Sequence, residues 1–525
     1  EDPDQLGIIL VESTTKPARR PYHKQKLALI VANQRHFALE QAARGVAVRY
    51  IATDAPYRDA LASVIPELGP LQAMRPAERE LRVDLRPLVD DGRLEYIDHE
   101  GWLTTTQQWS DSQGEGTPPW RMDAFYRYVR RATGILMDGD RPRGGKFSFD
   151  VENRRAWNGE PAAPEPPGFP ITDIKREVAE LITNRFAHHP GRLDIEALPA
   201  TIEDAEALWE WAIANCLPNF GPYQDAMSSG SAGLFHTRVS MLINLSRLLP
   251  VDIVGDALRA EIPLAGLEGF VRQILGWREF VRHVHESTDG FRQSPDSEVV
   301  VRSAMSDGGY ARWAGAPWPA RREPPEIDGG ATPSYLGAER PLPVAFWTRT
   351  SGLACLDRVV AEVWDTGYGH HIQRLMILAN IATLLDCEPR ELTDWFWVAF
   401  ADAFDWVVEP NVLGMGSFAV GDLMTTKPYV SGAAYIDRMS DYCDGCRFHP
   451  ARDCPITNLY WAFLDRHFSK LRNNPRLRLP LASLRKRSRE KRRNDAAVFR
   501  HVSQTLAEGD QLSPDALPGQ DSVDA

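Results

Sequence analysis

Apolar and polar positions alternate in two different rhythms along this chain. Short apolar runs typical of buried strands are "LGIILVE" at 6–12, "VAVRYIA" at 46–52 and "RLEYID" at 93–98. Between the first two lies "KLALIVANQRHFALEQAARG" at 26–45, whose apolar spacing and final glycine predict a helix. Because parallel strands need a long crossover connection, this order predicts a parallel sheet with crossover helices.

The pattern changes after residue 136. Residues 137–170 are rich in glycine, proline and charge, which indicates a linker, and strand signals are few beyond residue 172. Amphipathic helical runs dominate there, at 201–215, 234–249, 266–286, 352–364, 370–385 and 391–404. We therefore predict a Rossmann-like α/β domain at 1–135 whose first strand lacks its beginning, an interdomain linker at 136–200, a large all-α domain at 201–510, and a flexible tail at 511–525.

Composition places the chain among globular proteins. Its 525 residues are enough for two or three domains, and 43% of them are apolar and 25% charged. There is no run of about 18 apolar residues and no signal-peptide pattern, so we expect no membrane partner. Six cysteines are few for this length, which favours a cytoplasmic protein over a disulfide scaffold.

The charge is unevenly distributed. A net charge of −12 argues against nucleic acid as a partner of the chain as a whole. Residues 466–493, the basic stripe, nevertheless hold twelve Lys or Arg and a single acid, Glu490. Such a stripe can bind phosphates, although a solvated helix face has the same pattern.

Three of the cysteines lie close together in "DYCDGCRFHPARDCP" at 441–455. Cys443 and Cys446 have the C-x2-C spacing that lets two thiolates reach one metal, and Cys454 follows. His449 would complete a zinc site, whereas Cys355 would complete a four-thiolate site for a [4Fe–4S] cluster. The spacing leaves zinc, iron–sulfur and unligated thiols open.

Three longer motifs resemble the photolyase/cryptochrome family. They are "EGFVRQILGWREFVR" at 268–282, "WDTGYGHHIQRLMILAN" at 364–380 and "FADAFDWVVEPNVLGMGSFA" at 400–419. Four shorter stretches resemble its bacterial iron–sulfur branch, the deoxyribodipyrimidine photolyase-related proteins, which include prokaryotic (6-4) photolyases: "RPRGGKFSFDVENR", "NFGPYQDAM", "YGHHIQRLM" and "MSDYCDGCR". In that branch four cysteines hold a [4Fe–4S] cluster, and the resemblance carries this role to Cys355, Cys443, Cys446 and Cys454.

The resemblance also implies an FAD site in the helical domain. "HTRVSMLIN" at 236–244 resembles the segment that wraps the FAD phosphates, and Arg374 with Asp405 resembles the ion pair beside the flavin ring. The residue facing flavin N5 falls near Glu409 or Asn411. The implied FAD contacts are His236, Thr237, Arg238, Val239, Ser240, Glu268, Arg272, Trp277, Arg374, Asp405, Glu409 and Asn411.

Residue roles in repair follow from the same likeness. In (6-4) photolyases a histidine beside the lesion gives and takes a proton, and His371, next to His370, is our candidate. Tyr429 and Tyr435 are expected to line the lesion pocket. Trp347 and Trp395 resemble the residues that pass electrons to the flavin.

The function implied is light-driven repair of (6-4) photoproducts in UV-damaged DNA by a bacterial, monomeric carbon–carbon lyase. The lesion would be flipped out of the duplex to reach the flavin. The N-terminal domain would carry a 6,7-dimethyl-8-ribityllumazine antenna, with Glu12 as its candidate contact at a strand end. Two alternatives stay open: a cryptochrome-like blue-light receptor without repair activity, and an iron–sulfur nucleic-acid binder that needs no light.

Overall fold

The computed structural model describes residues 2–114, 118–293 and 329–518, and helices dominate it. In the first 200 residues the helices are Thr15–Arg19, Lys24–Ala43, Tyr57–Leu68, Arg79–Asp90, Thr106–Ser112, Met122–Thr133 and Asp173–Arg185. Beyond residue 200 the α-helices are Ile202–Trp211, Leu217–Phe220, Ser240–Asn244, Pro250–Arg259, Leu264–Val271, Glu279–Ser287, Ala345–Thr348, Ala354–Thr366, Asn380–Leu384, Pro389–Ala399, Asp405–Val408, Ala433–Met439, Pro455–Arg466, Phe468–Leu471, Arg478–Lys486 and Arg489–Glu508.

The N-terminal part contains two pairs of parallel strands. Strand β1 (Gly7–Ser13) pairs with β2 (Ala47–Thr53), and the helix Lys24–Ala43 connects them. Strand β3 (Leu71–Met74) pairs with β4 (Leu94–Ile97) through a helical connection of the same kind. The predicted fold class, an α/β domain followed by a large helical domain, is confirmed.

One strand escaped prediction. β3 has only four residues, "LQAM", and its alternate residues are exposed, so its apolar signal is too short to stand out. The strand predicted at 93–98 therefore pairs with β3, and the pairing is Leu71 with Leu94 through Met74 with Ile97.

Two predicted boundaries differ from the structure. The linker at 136–200 contains the helix Asp173–Arg185, which packs on the helix Lys24–Ala43. The first part of the predicted flexible tail is packed: Leu512 is fully buried, and its backbone N–H donates to the Ser351 carbonyl at 2.9 Å. Residues 519–525 of that tail lie outside the described residues.

The two halves of the chain share their cores. Leu27, Ala28 and Leu29 of an N-terminal helix are buried in one apolar cluster with Trp364 and Trp395 of the helical domain. Within the described ranges, no helix is both long and apolar enough to cross a membrane.

In the described part of the helical domain, four segments are wound as π-helix instead of α-helix. They are Ala212–Cys216, Arg272–Arg278, Gln373–Ala379 and Glu409–Gly416. Such turns are rare and concentrate at functional sites because the extra residue re-aims side chains. Three of the four carry residues of the predicted FAD site, so the local geometry is unusual where the sequence predicts chemistry.

Candidate active site

Three histidines, His236, His370 and His371, form the histidine cluster. The rings of His236 and His370 are stacked with centroids 4.4 Å apart, and one ring nitrogen from each of the three residues lies within 4.8 Å of the others. His236 and His370 are buried, whereas the side chain of His371 is 40% exposed. The predicted pair His370 and His371 therefore has one buried and one accessible member, and only His371 is well placed to meet an external ligand.

The surroundings of the histidine cluster favour neutral imidazoles. Burial lowers the pKa of His236 and His370 well below the usual value. Burial and then the Arg374 cation lower the pKa of His371 to about 4. Both ring nitrogens of His370 and Nε2 of His236 lack hydrogen-bond partners in the structure. The cluster thus offers free imidazole nitrogens, which could accept hydrogen bonds or hold a transition-metal ion.

A carboxyl group that the sequence analysis missed faces His371. Asp225 Oδ1 lies 3.9 Å from His371 Nε2, and Asp225 Oδ2 lies 3.8 Å from Arg154 Nε. Burial raises the pKa of Asp225 to about 6 although Arg154 opposes the shift. Asp225 belongs to "NFGPYQDAM", a motif that carried the family resemblance, so a signal for it was present in the sequence.

The two predicted lesion-pocket tyrosines face the same group of charges. Burial, followed by the charge of Asp225, raises the pKa of Tyr435. Burial also raises the pKa of Tyr429, and Asp150 and Arg154 act on both tyrosines. Because the charge of Asp150 also acts on His371, these two tyrosines and His371 share one charged region.

The ion pair predicted between Arg374 and Asp405 is wrong. Arg374 Nη1 lies 3.0 Å from Oδ1 of Asp402, three residues earlier, and Ser240 Oγ donates to the same carboxylate at 2.7 Å. Burial favours the neutral acid, but Arg374 and Ser240 outweigh it and lower the pKa of Asp402. Asp405 instead begins a short helix and accepts the Glu80 backbone N–H at 3.1 Å.

The segment at 236–239 is a tight turn that leads into the short helix Ser240–Asn244. The single long helical run predicted at 234–249 is therefore wrong. Arg238 adopts a left-handed backbone with φ of 59°, and Val239 is buried in the core. The Arg238 guanidinium lies 4.9 Å from the centre of the Tyr368 ring and against Gly233, where a Cβ atom would come within 2.5 Å of Arg238 Nη2. The turn therefore gathers a cation with the hydroxyls of Thr237 and Ser240.

Glu268 and Arg272 lie beside the histidine region. Arg272 Nη2 donates to Asp150 Oδ1 at 3.2 Å, and its charge acts on His371. Glu268 is fully buried, accepts the Phe149 backbone N–H at 2.9 Å, and has a pKa that burial raises. Trp277 packs edge-on against Phe280 at 6.0 Å.

Glu409 belongs to a buried ion network. It accepts from Arg390 Nη1 at 2.7 Å and lies 2.9 Å from His285 Nε2. Burial opposes ionisation, but His285 and Arg390 outweigh it and hold the pKa of Glu409 far below its usual value. Asn411 donates to the Val407 carbonyl at 2.8 Å. Both predicted N5-facing candidates are thus engaged within the protein.

The predicted electron-transfer residues are connected by a third tryptophan that the sequence analysis did not single out. Trp364 stacks on Trp347 with centroids 5.0 Å apart and meets Trp395 edge-on at 5.7 Å. All three are buried. Trp364 is the first residue of the "WDTGYGHHIQRLMILAN" motif, and its position between the other two makes a continuous aromatic path.

The four predicted cysteine ligands line one small apolar cavity, the cysteine cavity. Cys355 comes from the start of the helix Ala354–Thr366, Cys443 and Cys446 from a loop, and Cys454 from the N-cap of the helix Pro455–Arg466. Burial raises the pKa of Cys355 well above its usual value and that of Cys443 and Cys454 to about 12. The cavity thus collects four soft ligands from distant parts of the sequence.

The antenna candidate Glu12 is buried beside two partners. Arg35 donates to both of its carboxylate oxygens at 2.8 and 2.7 Å, and the Tyr50 hydroxyl donates to Oε2. Burial opposes ionisation, but these hydrogen bonds outweigh it and lower the pKa of Glu12. The carboxylate is therefore already held by the protein.

The basic stripe is partly neutralised. Arg466, Arg487 and Arg492 form ion pairs with Asp386, Asp495 and Asp465 respectively. One member of the stripe, Arg476, lies close to two further cations. Burial, and then the charges of Arg476 and Arg154, lower the pKa of Lys427. We call Arg154, Lys427 and Arg476 the basic rim.

Solved photolyases superpose on much of the chain. A bacterial class III photolyase from Agrobacterium tumefaciens covers 95% of this chain and 92% of its own, with a TM-score of 0.49 and 14% identity. An archaeal photolyase from Sulfolobus tokodaii, whose crystals contain two FAD molecules, covers 79% of this chain and 77% of its own, with a TM-score of 0.45 and 11% identity.

Sequence comparison gives the family. A (6-4) photolyase of Agrobacterium fabrum is 33% identical over an alignment of 523 residues that covers 95% of this chain and 95% of its own. An uncharacterised protein, R855, of Acanthamoeba polyphaga mimivirus is 31% identical over 104 residues, 20% of this chain and 81% of its own. Residues 1–197 match the model of the deoxyribodipyrimidine photo-lyase-related proteins. With that match and near-full-length similarity, the chain belongs to the photolyase family, as a deoxyribodipyrimidine photo-lyase-related protein.

Proposed function

We propose that this protein is an FAD-dependent (6-4) photolyase, which repairs pyrimidine–pyrimidone photoproducts in UV-damaged DNA under light. The observation that carries the proposal is the accessible imidazole of His371, set against two buried histidines and facing Asp225 and the tyrosine region. The Agrobacterium fabrum relative, similar over 95% of the chain, is a (6-4) photolyase.

His371 acts as the general acid and base of the repair. It gives a proton to the hydroxyl group that moves between the two pyrimidines and takes one back, and such a group contributes about 10²- to 10⁴-fold to a rate. Tyr429 and Tyr435 line the pocket that receives the flipped bases. Flipping costs a few kcal/mol, and less at a distorted lesion.

The residues around Arg374 fit FAD. Arg374 and Ser240 hold the buried carboxylate of Asp402, and Arg238 lies in the tight turn with Thr237 and Ser240, a donor set suited to a pyrophosphate. Glu268, Arg272 and Trp277 extend the binding region. When bound and reduced, FAD supplies the electron that light transfers to the lesion. The protein holds polar groups at fixed positions and excludes water.

The cysteine cavity is the proposed site of a [4Fe–4S] cluster. Cys355, Cys443, Cys446 and Cys454 all line it, and four thiolates are the usual ligand set of such a cluster. Four thiolates also bind a single zinc ion, so metal analysis decides between the two. Either group would tie the helix Ala354–Thr366 to the segment at 443–454.

The N-terminal domain is the proposed antenna domain, with a ribityllumazine as its chromophore. Arg35 and Tyr50 hold the Glu12 carboxylate in place. In this proposal Glu12 shapes the binding site, and other residues share the contact with the chromophore.

Illumination of the reduced holoprotein with an oligonucleotide that contains one (6-4) lesion tests the function. Restored thymines, detected by mass spectrometry or by recovery of a restriction site, are the expected product. A light response without restored thymines would instead favour a blue-light receptor, and a purified protein without flavin absorbance would favour a non-photochemical iron–sulfur protein.

Trp395→Phe is expected to slow light-driven reduction of the bound flavin by at least about tenfold, because phenylalanine is much harder to oxidise than tryptophan and interrupts the path through Trp364. Absorbance changes under blue light with an external reductant measure the rate. Trp209→Phe, which alters a buried tryptophan stacked on Phe270 outside the path, is the control and should reduce at the rate of the unsubstituted protein. Equal rates in both variants would remove Trp395 from electron transfer.

Arg476→Ala is expected to weaken binding to damaged and undamaged DNA alike, and to reduce the slope of log affinity against log salt by about 1, because it removes one phosphate contact of the basic rim. Fluorescence anisotropy at several salt concentrations measures both. Arg259→Ala, at an exposed arginine paired with Asp256, is the control. An unchanged salt slope would place the DNA elsewhere on the protein.

A further inference from the structure

The carboxyl group of Asp225 is set apart from the other acids near His371. Asp150, the other nearby acid, is already engaged, because it accepts from Arg272 at 3.2 Å and from Arg154. Asp225 pairs with Arg154 at the longer distance of 3.8 Å, and its side chain is 15% exposed. Its second oxygen lies 3.9 Å from His371 Nε2. A small rotation of either side chain would bring this oxygen and nitrogen into hydrogen-bond distance.

We propose that Asp225 is the positioning residue of His371: its carboxyl group orients the imidazole and shares with it the proton that the lesion receives. This inference rests on the proposed function. Asp225 makes no bond to the substrate and acts through His371. The proton passes from the Asp225–His371 pair to the oxygen of the migrating hydroxyl group and returns to the pair after the bond between the pyrimidines has broken.

The charges around the pair explain why His371 needs this partner. Arg374 and Arg272 both disfavour a protonated imidazole at His371, and Asp150 favours it. Around Asp225, Arg154 and Arg272 favour the carboxylate, whereas Asp150 disfavours it. His236 and His370 are neutral, and the hydroxyl of Tyr435 adds no charge. An opposite charge within about 4 to 6 Å raises the pKa of an imidazole by about 1 to 3 units, so the Asp225 carboxylate can offset the two arginines.

The decisive variant is Asp225→Asn, which keeps the shape of the side chain and removes the shared proton site. Single-turnover repair by the reduced holoprotein is measured from pH 5.5 to 9. Since the protonated pair is the active form, the rate of the unsubstituted protein falls as pH rises. In D225N we expect this fall to move to lower pH by about one unit, which is about a tenfold loss of rate on the alkaline side. Asp225→Glu, which keeps a carboxyl group, should restore most of the rate and return the decrease of the rate to the pH at which it occurs in the unsubstituted protein.

Two controls separate this role from a structural one. Asp123→Asn removes an exposed charge that acts on Tyr429 and should leave the pH profile unchanged. Flavin content and lesion affinity of D225N should match those of the unsubstituted protein. A D225N rate that is lower by the same factor at every pH, or is unchanged, would overturn the proposal.

A readout without repair keeps this inference separable from the proposed function. In protein labelled at histidine, the NMR signals of His371, identified by their loss in His371→Ala, are followed against pH in the absence of DNA. We expect a titration step that moves to lower pH by about one unit in D225N and keeps its position in D123N. Identical titrations in D225N and the unsubstituted protein would overturn the proposal, whereas failure of repair in the unsubstituted protein with this step present would overturn only the function.

Discussion

Replacing His371 with alanine is expected to abolish repair of a (6-4) lesion while the protein keeps its flavin. The imidazole is the accessible member of the histidine cluster, and removing a general acid of this kind lowers a rate by about 10²- to 10⁴-fold. The flavin is proposed to bind at the Arg374–Asp402 ion pair, to which Ser240 donates a hydrogen bond. His371 takes no part in these contacts. Repair is measured under single-turnover illumination, and flavin content is measured by absorbance after denaturation.

The matched control for this substitution is His188→Ala, which removes an exposed histidine outside the cluster. It should repair at the rate of the unsubstituted protein. If H371A repairs within about threefold of that rate, His371 has no part in proton transfer. If H371A loses its flavin as well, the substitution has disturbed the pocket, and His371→Gln, which retains a hydrogen-bonding side chain, separates the two effects.

Cys355→Ala is expected to yield protein whose iron content falls from about four atoms per chain towards zero, because one of four thiolates is lost. A group that binds only the folded state stabilises it, so its loss should also lower the melting temperature, by about 10 °C if about 3 to 5 kcal/mol is lost. Cys355 is the proposed ligand furthest from the others in sequence, and a shared cluster would link the helix Ala354–Thr366 to the helix Pro455–Arg466, which Cys454 caps. Iron and acid-labile sulfide analysis with a thermal melt measure both effects.

Cys387→Ala provides the comparison, since Cys387 is also a buried cysteine of the helical domain but lies outside the cysteine cavity, with its Sγ 3.9 Å from the Pro341 carbonyl. It should keep its iron and lose only the small stability of a buried thiol. Should C355A retain about four iron atoms, Cys355 is not a ligand. Should C355A and the unsubstituted protein both contain zinc in place of iron, the choice of metal is wrong although the ligands are right.

Much of the fold could be predicted from local patterns. The apolar run at 6–12, the helix at 26–45 that ends on a glycine, and the amphipathic runs after residue 200 each have a counterpart in the structure. β3 and the break of the 234–249 run could not be predicted in this way. β3 is held by its pairing with β4, and the break depends on left-handed backbone at Leu234 and Arg238 that no periodicity records.

The sequence predicted which types of residue form the candidate active site, but it predicted less well which of them contact each other. Cys355 was placed with the C-x2-C motif only through a family likeness, because 88 positions separate it from Cys443. Arg374 was matched to Asp405 although its partner is Asp402, because both acids lie in the motif at 400–419 and the sequence does not show which one faces Arg374. Asp225 and Trp364 went unnoticed because contact across the fold, and not sequence spacing, gives them their neighbours.

The buried contact between the helix Lys24–Ala43 and the segment at 397–403 has a practical consequence. Lys26 Nζ donates to the Trp397 carbonyl at 2.8 Å and to the Ala403 carbonyl, and the His23 backbone N–H donates to the Val398 carbonyl at 2.8 Å. This segment includes the end of the helix that carries Trp395, and it contains Asp402. Removing the residues before the linker would leave these three carbonyl groups without their donors and would expose apolar side chains of the shared core. We therefore do not expect the helical domain to fold and act on its own. A chimaera that carries another antenna domain must therefore retain His23 and Lys26.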